Sequence, residues 1–146
     1  MKLNYSYALD YFQQEPKQLV LFTSVETRKN GNLRYDVTNH ILMYSFFQTK
    51  FNFTGIVFSS SGSIKELCRQ NNIITVDHYQ TNPFGMPLIR DLYQQASHLI
   101  RSRFYGYINS DIIMSPNLFE FLSEVEVRVQ NKEIPENVFL ILKYQV

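Results

Sequence analysis

Three observations predict an α/β domain with a mostly parallel, doubly wound sheet and helices on both faces. Short apolar runs alternate with helical patterns from residue 18 onward. The runs are continuously apolar, as strands covered on both faces are. Their spacing suits βαβ units, whose right-handed crossovers place helices on the two sides of the sheet. With 146 residues, the chain is expected to form a single domain over 1–146 with a substantial core.

The elements follow in order. QLVLFTSV (18–25) is rich in branched and aromatic residues and predicts the first strand. The polar ETRKNGN that follows carries Asn30-Gly31, a turn signal. Val37, Ile41, Tyr44 and Phe47 recur at helical spacing and predict a helix over 37–48, with Asp36 or Thr38 as its cap. TGIVFSSSGS (54–63) predicts a strand entering a small-residue loop, SIKELCRQNN a short helix, and IITVDHY (73–79) a third strand. TNPFGMP is a loop by its prolines and glycine. Leu88, Leu92, Ala96, Leu99 and Ile100 mark an amphipathic helix, and FYGYIN the fourth strand. Ser115-Pro116 opens a last helix that should bury Leu118, Phe119, Leu122 and Val125. SEVEVRVQ alternates with period two, so its end reads as helix or strand; NVFLILKYQV reads as a final strand.

Composition narrows the function classes. Apolar residues make up 45% and charged residues 18%, a globular balance. A formal charge of +1 gives no electrostatic case for nucleic acid or an anionic membrane as partner. The lone Cys68 excludes an internal disulfide and any cysteine-based zinc site, and its setting predicts a small buried helix residue. No apolar stretch approaches the ~20 residues that span a bilayer. The first residues lack an apolar core with a small-residue cleavage site, so the expectation is a cytoplasmic protein.

In a parallel sheet, ligands bind beyond the carboxyl ends of the strands. Four polar tips belong to that edge: Thr23-Ser24-Val25-Glu26, Ser59-Ser60-Ser61-Gly62, Asp77-His78 and Asn109-Ser110-Asp111. Neither GxGxxG nor GxxxxGK[ST] follows the first strand, which removes the glycine-based phosphate cradles, and no G-x-S-x-G elbow is present. SSSGS is a loop of small residues that either approaches a ligand or simply turns the chain. Of the three histidines, His40 and His98 read as solvated or capping helix residues, and His78 as a ligand contact at the edge. The Asn109–Asp111 tip has two readings. Asp and Asn commonly end strands. Equally, Asp111 with the Asn109 carbonyl suits a hard ion, Mg²⁺ or Mn²⁺, that takes one or two protein oxygens and completes its shell with phosphate and water.

The stretch NPFGMPLIRDLYQQASHLIRSRFYGYINSDIIMSPNLFEFL resembles the middle of nucleotide-sugar glycosyltransferases with the GT-A fold. It is more closely similar to a glycosyltransferase-like group with a Gly-x-Pro-Leu turn, a helix, and a strand ending in Tyr-x-Asn-(Ser/Ala)-Asp-Ile. Here these are Gly85-Met86-Pro87-Leu88 and Tyr107-Ile108-Asn109-Ser110-Asp111-Ile112. The resemblance implies a GT-A/Rossmann-like nucleotide-binding half that takes a nucleotide-diphospho-sugar. Asn109 and Asp111 would stand in for the Asp-x-Asp motif that holds metal and diphosphate, with Asn replacing the first acid. Thr23 and Ser24 would face the base; Ser59, Ser60 and Asp77 would lie near base or ribose; Gly85 and Pro87 would belong to the donor-side turn.

Family members continue into an acceptor-binding half that usually supplies the catalytic base. The expectation here is therefore a nucleotide-binding part with no base assigned, completed by a partner chain or a homodimer if it transfers sugar. The competing expectation is a nucleotide-binding or interaction module that keeps the fold without catalysis. A nucleotidyltransferase is a poorer match, because ETRKNGN is not a basic Gly-rich loop.

Overall fold

The computed structural model describes residues 14–26 and 35–137. All of the expected strand NVFLILKYQV after Asn137 and most of the ETRKNGN loop lie outside those residues, as does the segment before Gln14. By contacts the chain divides after Met114, and each unit is taken by itself.

The first unit is the predicted α/β sandwich. Its elements are β1 (Lys17–Ser24), α1 (Tyr35–Lys50), β2 (Phe53–Phe58), α2 (Gly62–Gln70), β3 (Ile74–Val76), α3 (Ile89–Leu99) and β4 (Ser102–Tyr107). The four strands form one sheet in the order β3-β2-β1-β4, and every pairing is parallel. The chain steps outward from β1 through β2 to β3, then returns to set β4 against the other side of β1. Right-handed crossovers then require α1 and α2 on one face and α3 on the other.

Packing follows that rule. Leu92 and Ala96 of α3 are fully buried against Val20, Phe22, Ile56 and Phe58. Phe22 meets Tyr93 edge-on with ring centres 4.7 Å apart. The opposite face takes α1, where Tyr44 and Phe47 lie 5.6 and 5.4 Å from the Phe53 ring. Each such side chain contributes roughly 1.5–3 kcal/mol by leaving water. Register explains two glycines. Leu21 stands between Gly55 and Gly106 in the sheet. A Cβ at Gly55 would enter the space of the Tyr44 ring, and one at Gly106 would come within 2.9 Å of Leu21 Cδ2. The missing side chain at Gly55 is what makes room for the Tyr44 ring.

Gln48, near the end of α1, closes the beginning of β2. Its Oε1 accepts from the Gly55 N–H at 3.1 Å, and its Nε2 donates to the Asn72 carbonyl at 3.1 Å. Gly55 precedes the first residue of β2 that pairs with β3, so its amide needs such a substitute partner.

Two sequence expectations need correction, and one left open is decided. The third strand is only Ile74–Val76, not 73–79. Its neighbour β2 ends at Phe58, and the Ser59 N–H closes the ladder on the Val76 carbonyl at 3.0 Å, so residues 77–79 run past the end of their neighbour and pair with no strand among the described residues. Leu99 is 45% exposed; it is the last residue of α3, and Ile100, in extended conformation, packs on the core instead. Residues 123–130, whose end reads as helix or strand, are helical throughout.

They belong to the second unit, described through α4 (Asn117–Gln130). Leu118, Phe119, Leu122 and Val125 form its buried stripe, as their spacing predicts. The Ser115 hydroxyl accepts from the Asn117 N–H at 3.3 Å, beside Pro116. The helix ends by a Schellman turn: Lys132 at φ 60 donates to Val129, and Glu133 to Arg128.

Candidate functional site

An all-parallel sheet puts every strand's carboxyl end on one edge, so the four polar tips share that edge. In order across it stand Asp77, Ser59-Ser60, Thr23-Ser24 and Asn109–Asp111, each about 4.8 Å from the next at the strand ends. Strand order reverses between β1 and β4, which is where open α/β sheets form their ligand crevice. Ser24 and the Asn109–Asp111 tip flank that point.

The nine candidate residues have different local surroundings. Thr23 is fully buried on the α1 side, and its hydroxyl has no hydrogen-bond partner among the described residues. Ser24 is half-buried, its hydroxyl 3.3 Å from the Tyr107 phenol across the β1–β4 junction. Ser59 is also fully buried, where its Oγ accepts from the Ser61 N–H at 3.2 Å and shapes the loop into α2; Ser60 is exposed. Asp77 is exposed and ion-paired to Lys65 of α2 at 2.9 Å. The hydrogen bond from Lys65, then its charge, holds the Asp77 carboxyl below the ordinary range, and nearby His78 adds to this. His78 itself is 98% exposed.

Gly85 and Pro87 belong to a tightly tied loop. Asn82 Oδ1 accepts from the Phe84 and Met86 amides, both at 2.9 Å. Asn82 N–H donates to Met86 O, and Gly85 N–H to Asn82 O. Thr81 bridges Pro87, and Gly85 at φ +80 makes a turn that an L side chain would strain. Phe84 at its tip is 90% exposed. Tyr79, just before this loop, donates its phenol to the Glu26 carboxylate beyond β1. The chain leaving β3 is thereby drawn across to the β1 tip.

The Asn109–Asp111 tip is a turn closed by Ile112 N–H on Asn109 O at 3.1 Å. Asn109 and Asp111 are both exposed. The turn leans on α1 at two points. His40 Nδ1 lies 2.7 Å from the Ile112 carbonyl, and the Met114 N–H points to Met43 Sδ at 3.1 Å. His40 is fully buried, contrary to its reading as a solvated or capping residue. Burial holds its pKa below the ordinary value, outweighing the Ile112 hydrogen bond and the Asp111 charge, which act upward. Its place between Val37, Ile41 and Tyr44 on the helix is the sequence signal for burial; its partner, 72 residues on, has no such signal.

Cys68 is buried as predicted, and burial pushes its thiol up to about 12, too high for a nucleophile at neutral pH. Among the described residues no group of three or more His, Cys, Asp or Glu could hold a metal ion. The tip offers one carboxylate and one amide carbonyl. That set fits an ion brought with a diphosphate and keeping most of its water, not an all-protein cage. No described helix is long and apolar enough to cross a membrane.

No protein-family model, no curated protein and no solved structure matches the chain. Its function is accordingly argued from the site.

Proposed function

We propose that this domain binds a nucleotide-diphospho-sugar at the β1–β4 crevice in the manner of GT-A glycosyltransferases. The observation that carries the reading is the coincidence of the sheet's reversal point with the tip that carries an exposed Asp and an exposed Asn two residues apart. Asp111 and Asn109 would hold Mn²⁺ or Mg²⁺ against the diphosphate, and a bound ion there would neutralise charge on the leaving diphosphate. Ser24 and exposed Ser60 offer hydroxyls to base or ribose. Ser59 acts from beneath, through the loop backbone its hydroxyl holds at Ser61, and Thr23 lies buried under the tip. A catalytic base is not assigned.

Calorimetric titration of UDP and GDP, with and without Mn²⁺, tests the reading. One nucleotide should bind in a Mn²⁺-dependent way, and Asp111→Ala should weaken it about tenfold or more, ~1.4 kcal/mol. Absence of binding under every condition would overturn the proposal and leave the tip as a strand terminator. Binding that Asp111→Ala leaves intact would remove the metal role.

A further inference from the structure

We propose that His40 is the positioning residue of the Asn109–Asp111 tip, acting from α1 through the carbonyl of Ile112. The cation-binding part of this inference rests on the donor-site reading; the positional part stands without it.

A carbonyl oxygen only accepts, so at 2.7 Å the His40 Nδ1 must carry the proton and donate. In the neutral ring this leaves Nε2 as a bare acceptor, and Nε2 is buried with no partner among the described residues. Such a histidine is a costly choice. Position 40 lies on the buried face of α1 with Val37, Ile41 and Tyr44, where a leucine or phenylalanine would fill space with no polar atom to desolvate. What the imidazole supplies, and they cannot, is a donor at the tip. Ile112 directly follows Asp111, and the Asp111 charge is close enough to act on the ring. The Tyr44 ring, 4.5 Å away and tilted 60°, fixes the imidazole plane from the next turn of the helix.

Two anchors thus hold the segment behind the acid, His40 on Ile112 and Met43 on Met114. They differ in strength. A neutral N–H to carbonyl bond at 2.7 Å is short and strong, whereas a thioether is a weak acceptor. His40 is therefore the anchor that sets where the Asp111 carboxylate stands relative to the sheet edge. Preorganised ligands bind an ion without first being ordered, which is the contribution such a residue makes.

The test compares His40→Phe and His40→Leu, which both fill the site without a donor, with His40→Asn, whose amide nitrogen can occupy the Nδ1 position. Amide hydrogen exchange on the full chain is read at Ile112, whose N–H closes the tip turn, and at Ile108, whose N–H joins β4 to the Phe22 carbonyl. In either donor-less variant, Ile112 should exchange at least tenfold faster relative to Ile108, and His40→Asn should restore it to within threefold. Equal acceleration at both amides, or none at Ile112, would overturn the proposal, since a purely structural histidine loosens the two together. Two donor-less variants keep the comparison available if one does not fold. Mn²⁺-dependent UDP binding is then measured on the same proteins, with weakening of about tenfold expected in Phe and Leu and recovery in Asn. Wild-type protein that binds no nucleotide sinks the donor-site reading alone, because the exchange comparison still decides the role of His40.

Discussion

At the scale of single residues, the unusual groups lie on the α1 side of the sheet. Thr23, His40 and Tyr44 each bury a polar atom without a partner among the described residues, and burial drives the Tyr44 phenol well above its ordinary pKa. For His40 the same desolvation has a measurable consequence. Its pKa is lowered in the fold, whereas the unfolded chain takes up the proton near pH 6.5. The unfolded state therefore binds more protons as pH falls below that value. The neutral ring's contribution is complete above about pH 6.5 and declines as acid is added, at a slope approaching ~1.4 kcal/mol per pH unit. Urea midpoints measured between pH 8 and pH 5 should fall more steeply for wild type than for His40→Phe. His78 and His98 are exposed and common to both proteins, so they cancel; identical pH profiles would mean that His40 titrates normally in the fold.

At the scale of elements, the helix ends show how local chemistry sets boundaries. α2 and α4 both finish in Schellman turns, with Asn72 at φ 56 and Lys132 at φ 60 in the left-handed position. Asparagine tolerates that conformation, but a lysine there carries a Cβ penalty. Lys132→Gly should stabilise the protein by about 0.5–1 kcal/mol, the steric relief being partly offset by the freer unfolded chain. Asn72→Gly should change it by less, and its carbonyl would still accept from Gln48. Thermal unfolding of the two variants checks the ranking, and a loss of stability in Lys132→Gly would contradict it. The α3 helix teaches a related point. Leu99 shares the helical face of Leu92 by spacing, yet it sits at the terminus and stays exposed, because periodicity says which way a residue points but not where the covered surface ends.

At the scale of the whole molecule, strand and helix alternation was enough to give a parallel sheet with helices on both faces, and hence one edge carrying every polar tip. The sheet's order, and so the reversal between β1 and β4, was not legible, because sequence spacing does not say on which side of β1 the fourth strand returns. His40 was half legible. Val37, Ile41, Tyr44 and Phe47 read as one face of α1 and all four are buried; His40 lies on that same face, so its burial follows from the pattern, but its partner at Ile112 does not. Thr23 and Ser59 read as tip residues because strand ends are polar, yet both side chains point inward. One further consequence concerns the Asn82-tied loop. By sequence, Phe84 is an inviting cleavage point for chymotrypsin, being aromatic and almost wholly exposed. Exposed loop tips are the usual sites of nicking, but a protease must draw its substrate into an extended strand. Here that means giving up the bonds from the Phe84, Gly85 and Met86 amides and the bridge from Thr81 to Pro87. Brief digestion followed by mass spectrometry should find the Phe84–Gly85 bond surviving in the native protein and cut once Asn82→Ala removes the clasp.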